Sequence, residues 1–137
     1  LGGDVPEGWI VTGYPWDTLD TDRHTAFRQA YEARFAEPPR MGSVVGYTSL
    51  KALAKAVGRA GTTDSAAVAA AMRGMSLPSP FGEITFRASD QQSTMGTFVG
   101  KTKALDDRGQ LVDWVYRDGA DFLPAADQVK NWRPQDG

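Results

Sequence analysis

The order of segments predicts an α/β chain: one short strand, three helices, then a three-stranded antiparallel meander. Three observations carry that expectation. A short apolar run stands alone near the start. Three stretches with apolar residues at helical spacing follow it. After Gly74 the apolar period drops from about 3.6 residues to about 2. The 15 glycines and 8 prolines add frequent turns, which argues against one long helical bundle.

Trp9 to Thr12 is apolar between glycines and reads as a buried strand, which Pro15 must end because it has no N–H for a ladder. Asp20, Thr21 and Asp22 offer caps for a first helix. Phe27, Tyr31 and Phe35 mark its apolar face, and Pro38-Pro39 forces it to stop. Ser43 is the expected N-cap of a second helix running to about Arg59, with Val44, Tyr47, Leu50, Leu53, Ala54 and Val57 facing inward. Lys51, Lys55 and Arg59 recur on the other side and read as a solvated face. Gly61 suits a left-handed stop, Asp64 caps a third helix from Ser65 to Arg73, and Gly74 ends it. Pro78 and Pro80 mark a turn. Strands are expected at Glu83–Arg87, Met95–Lys103 and Gln110–Arg117, with a turn at Asp106–Gly109. Pro124 can open a short last helix carrying Val129 and Trp132, followed by a frayed tail from Arg133. A buried-looking strand with no partner nearby in sequence is what a piece of a larger α/β sheet would show.

Composition excludes several classes of function. The 137 residues fit one domain. With 15 basic and 17 acidic side chains the net charge is −2, so the broad basic field needed for nucleic acid is missing. No cysteine is present, which removes disulfides, thiol catalysis and Cys-ligated zinc. The single histidine, His24, rules out a multi-histidine metal site and reads as a solvent-exposed helix residue. Asp106, Asp107 and Asp113 lack the spacing of a calcium loop, and no phosphate-binding glycine loop occurs. No cofactor is expected. The chain starts Leu1-Gly2-Gly3 without Met or a signal peptide, and reads as a processed product or a piece of something longer.

An ordered series of segments carries a resemblance. Phe27 to Phe35 is followed by Pro38-Pro39, then Gly46-Tyr47 in a Leu/Ala-rich helix. Gly58-Arg59-Ala60-Gly61-Thr62-Thr63-Asp64 leads to Met72-Arg73-Gly74. Next come Pro80-Phe81-Gly82-Glu83-Ile84-Thr85-Phe86, Ser89-Asp90-Gln91-Gln92 and Phe98-Val99-Gly100-Lys101. This series resembles the C-terminal part of type I periplasmic substrate-binding proteins, in particular the branched-chain amino-acid (Leu/Ile/Val) binding proteins of ABC importers. It covers roughly residues 5–124. The family often shows Asp-His-Gln where this chain has Asp90-Gln91-Gln92.

The resemblance implies a C-terminal fragment of a two-lobe protein. Residues 1–16 would be a crossover or hinge strand, 17–75 the helices of one lobe, 76–124 the strands returning to the other lobe, and 125–137 the tail. It implies a non-enzymatic protein, periplasmic or else extracellular and membrane-associated, that captures a small organic solute, such as an amino acid or carboxylate, and delivers it to ABC permease subunits. Candidate ligand-binding residues follow from position: Ser43, Val44 and Tyr47 at the start of the second helix, and Tyr14, with Trp16, in the loop after the first strand. Val44 and Tyr47 also fit core positions on their helix, Ser43 fits a simple cap, and the two aromatics fit loop packing. Faces covered by the rest of such a protein would be exposed here, so self-association as a dimer is expected, with exchange of elements as one route. A ligand-sensing receptor module of the same fold and an independent interaction domain stand as alternatives.

Overall fold

A computed structural model describes residues 4–105 and 108–132. The chain is mixed α/β, in the order β1 (Ile10–Gly13), α1 (Asp22–Phe35), α2 (Met41–Ala60), α3 (Ser65–Met72), β2 (Ser76–Ser79), β3 (Gly82–Thr85), β4 (Thr97–Leu105), β5 (Arg108–Arg117) and α4 (Ala126–Trp132). A single 3-10 turn, Gly119–Asp121, joins β5 to α4. Among the described residues no helix is long and apolar enough to cross a membrane.

The helix ends follow local chemistry. Thr21 caps α1 by accepting the His24 N–H at 3.3 Å, and Ala36, in the left-handed region, ends it ahead of Pro38. Gly61 closes α2 at φ +68, where a side chain would be strained. Asp64 caps α3 through the Ala67 N–H at 2.9 Å. The start of α2 differs from expectation. Arg40 is the capping position, and Ser43 sits inside the first turn with its Oγ accepting the Arg40 N–H at 3.1 Å.

Sheet pairing corrects the expected meander. The three-stranded sheet has the order β1-β4-β5, antiparallel throughout, so β1 supplies the third strand. The segment around Glu83–Arg87 instead pairs with a strand through Pro78, in a separate hairpin with Leu77 opposite Ile84. Pro78 is tolerated there because each strand of a two-stranded sheet has one open edge. β1 is also not buried: it is an edge strand, and Ile10 is 77% exposed. In β5 one extra residue bulges opposite Gly100, and Asp113 there takes φ +49.

Two cores result. Ala52 and Ala56 of α2, Val68 of α3, Met75, Leu77 and Ile84 form the first, and it holds the hairpin against α2 and α3. An aromatic cluster around Phe98 forms the second, on the larger sheet. The inward face of α2 is therefore Val44, Thr48, Ala52 and Ala56, not the expected leucine stripe. Leu50 is 70% exposed and Leu53 49% exposed, because α3 and the hairpin pack on the narrower small-residue face of Ala52 and Ala56. Phe35, expected on the apolar face of α1, is likewise exposed. Lys55 reaches over to the Ser76 carbonyl at 2.6 Å. In α4 Val129 is buried and Trp132 exposed. The expected tail from Arg133 and the Asp106-Asp107 part of the turn lie outside the described residues.

Candidate functional site

The loop after β1 builds the site. Pro15 is buried and closes a tight turn, its carbonyl accepting the Leu19 N–H at 2.9 Å. Thr18 Oγ1 accepts from Trp114 Nε1 at 2.9 Å and ties the loop to β5. Tyr14 is half-buried, its ring 5.4 Å from that of Phe81 in the β2–β3 turn. Its hydroxyl lies 2.6 Å from His24 Nε2.

His24 is completely buried, against the expected exposed helix position. The reason is a pair of tertiary bonds. Nδ1 lies 2.8 Å from the Leu19 carbonyl oxygen. A carbonyl can only accept, so Nδ1 carries the proton. In the neutral ring Nε2 is then the acceptor, and Tyr14 donates to it. Electrostatics agree: burial pushes the His24 pKa down, the Leu19 bond opposes that, and the Arg28 charge adds to it. Burial also pushes the Tyr14 hydroxyl well above its usual range, partly offset by Arg28.

A stability consequence follows. The folded imidazole titrates below its usual value of 6.5, so the unfolded chain binds more protons as pH falls past that value. The contribution is complete above pH 6.5 and is lost as pH falls through the lower folded value. Melting temperature measured from about pH 7.5 down to pH 5 should fall more steeply for the native chain than for His24→Gln. Equal slopes would show that His24 is not linked to folding.

The second wall of the site is the turn from Glu37 to Met41. Pro38 and Pro39 break the chain between α1 and α2, and Pro39 is buried. Together with Tyr14, Trp16, Arg108 and Gly109, this turn lines a groove of about 610 Å³. A smaller hollow of about 220 Å³ adjoins it and shares Tyr14, Trp16 and Gly109. Arg40 and Met41 lie at the N-terminal end of the 20-residue α2. The Ser43 and Val44 N–H groups bond the Arg40 carbonyl at 2.9 and 3.3 Å, which leaves those of Met41 and Gly42 at the end of the helix, where its dipole adds partial positive charge. Arg40 and Arg108 reinforce that sign, while Glu37 opposes it. Chemically, the groove offers aromatic surface beside a positive rim, which suits a small organic anion.

The four residues singled out from sequence do not converge. Tyr14 lines this groove. Ser43 is half-buried and occupied with the Arg40 N–H. Val44 is fully buried. Tyr47 lies on another face, in a groove of about 360 Å³ with Arg23, Phe27, Lys51 and Pro78–Pro80. There its ring packs 5.0 Å from Phe27, and Lys51 Nζ sits 5.2 Å above it. Arg40, Met41 and Arg108 were missed by sequence reasoning. The Pro38-Pro39 break was visible, but nothing local shows that it folds beside Tyr14. Among the described residues no group of three or more His, Asp or Glu could hold a metal ion.

Comparison with known proteins adds the wider context. Residues 1–110 match the family model described as periplasmic binding protein. No curated protein matches the chain. Among solved structures, an ABC-type branched-chain amino acid transporter protein from Rhodopseudomonas palustris is 24% identical, with a TM-score of 0.65 over 80% of this chain and 31% of that one. A leucine-, isoleucine-, valine-, threonine- and alanine-binding protein from Brucella ovis, in closed conformation, is 18% identical, with a TM-score of 0.73 over 91% and 35%. A solute-binding protein of an R. palustris ABC transporter, in complex with benzoate, is 21% identical, with a TM-score of 0.63 over 82% and 31%. The chain thus spans about a third of the length of these structures.

Proposed function

Because the chain belongs to the periplasmic binding protein family, we propose that it builds one wall and part of the hinge of a two-lobe cleft that captures a small organic solute in the periplasm for an ABC importer. The wall is the groove between Tyr14, Trp16 and the start of α2. One observation carries this reading: two aromatic side chains, a helix N-terminus and two arginines converge on one hollow of about 610 Å³. The aromatic surface takes an apolar body, and the positive rim takes a carboxylate. Benzoate has both parts, and it is the ligand of one R. palustris neighbour. Function is capture, with closure favoured because the closed lobes bind the solute more tightly.

In this arrangement residues 1–16 carry the hinge strand, 17–75 the helices of one lobe, 76–124 the strands returning to the other, and 125–137 the tail. The hairpin within the third segment packs on α2 and α3, so the return is best placed after it, in β4. The exposed Leu50 and Leu53 fit a surface that the rest of the protein covers, and they support dimer formation by the chain alone.

A nuclear magnetic resonance titration of the nitrogen-15-labelled chain with benzoate tests the reading. One wall without the other should bind weakly, with Kd on the order of millimolar. The amides of Tyr14, Trp16, Met41 and Gly42 should shift first. Shifts confined to the Tyr47 groove, or none at tens of millimolar benzoate, would overturn it.

A further inference from the structure

The geometry points to His24 as a positioning residue that holds Tyr14 in the groove wall and makes solute affinity depend on its own protonation. The inference rests on the groove reading above and adds a regulatory input to that site. Its basis is a continuous set of contacts. The imidazole is fully buried in the first turn of α1. One ring nitrogen is anchored 2.8 Å from the Leu19 carbonyl, which fixes the tautomer. The other accepts the Tyr14 hydroxyl at 2.6 Å, with the rings edge to face at 5.5 Å. The remaining side of Tyr14 packs on Phe81. The groove-lining residue is therefore clamped between α1 and the β2–β3 turn, and its only directional tether among those contacts is His24.

Protonation changes that tether. An imidazolium donates from both nitrogens. Leu19 still accepts from Nδ1, but Nε2 now donates to the Tyr14 oxygen, so the bond reverses and the Tyr14 proton must turn to find another acceptor beside a half-buried ring. The buried ring must also carry a charge, and the Arg28 charge on the same helix opposes it. Glu32, on α1 as well, acts on Tyr14 and disfavours the tyrosinate that would otherwise relieve the conflict. Both effects favour a rearranged loop in which Tyr14 leaves its position. A solute that needs the wall in place then binds the neutral form better. By linkage the solute must in turn make the imidazole harder to protonate.

The chain has one histidine, so its imidazole proton signal is unambiguous. The experiment follows that signal through a pH titration with and without saturating benzoate, and measures the benzoate Kd at about pH 7.5 and pH 5. Benzoate should lower the imidazole midpoint by about half a pH unit or more, and the Kd should rise about threefold or more at the lower pH. His24→Gln removes the titrating ring without changing a groove-lining residue, and should leave the benzoate Kd equal at the two pH values. An imidazole midpoint unmoved by saturating benzoate, with Kd equal at both pH values, overturns the role of His24 while leaving the groove intact. No binding at either pH overturns the groove reading, and this inference with it.

Discussion

Replacing Phe98 with Ala should cost about 3–5 kcal/mol of folding stability. Phe98 is 1% exposed, among the largest fully buried side chains. Its ring sits 4.9 Å from Phe81, 5.2 Å from Trp114 and 5.1 Å from Tyr116. Tyr116 is its cross-strand partner on β5, while Phe81 comes from the β2–β3 turn. The ring therefore joins the sheet to the hairpin. Truncation removes the transfer free energy of a phenyl group and three favourable ring pairings, and the neighbouring strands cannot collapse freely into the gap. For a chain of this size the melting temperature should fall by about 10 °C or more. Because Phe81 also supports Tyr14, the near-ultraviolet circular dichroism of the aromatic cluster should weaken with it. A loss below about 1 kcal/mol would mean that the cluster contributes little to the fold.

Gly96→Ala should be at least as damaging, by a different mechanism. A Cβ at this position would lie 1.9 Å from the Arg117 carbonyl oxygen, 2.8 Å from the Arg117 carbonyl carbon and 2.9 Å from the Gly119 nitrogen. All three are backbone atoms, so no side-chain rotation relieves the overlap. The chain entering β4 must move away from the end of β5, and the bond from the Gly96 N–H to the Tyr116 hydroxyl, 2.8 Å, goes with it. The expected loss is about 3 kcal/mol or more. Urea unfolding compared with the native chain measures it, and an unchanged midpoint would contradict the close approach.

Local signals made much of this fold legible. Thr21, Gly61 and Asp64 act over one turn of chain, so their caps can be read without knowing what packs on the helices. The strands from Thr97 to Leu105 and from Arg108 to Arg117 carry alternation and a turn between them, and they were placed to within a few residues. Long-range choices were not legible. The leucines of α2 promise burial somewhere, but whether Leu50 or Ala52 turns inward depends on what lies opposite, and here that is α3 and the hairpin. Pro78 argued against a strand because the usual argument assumes two neighbours, and this strand has one. His24 was misplaced because its partners, Leu19 and Tyr14, become neighbours only when the loop folds back. The same limit applies to the candidate site. Tyr14 and the beginning of α2 were both marked, yet the arginines that set the sign of the groove, Arg40 and Arg108, are 68 positions apart.

The central claim is that these residues form one wall of a two-lobe cleft rather than a self-sufficient domain. The intact mass of the natural polypeptide that carries this sequence, taken from its own cells, tests it most directly. The account predicts a chain roughly three times as long, in keeping with the 31–35% of each matched structure that these residues cover. A natural product of 137 residues would contradict it, and the solute-capture mechanism would fall for want of a second wall.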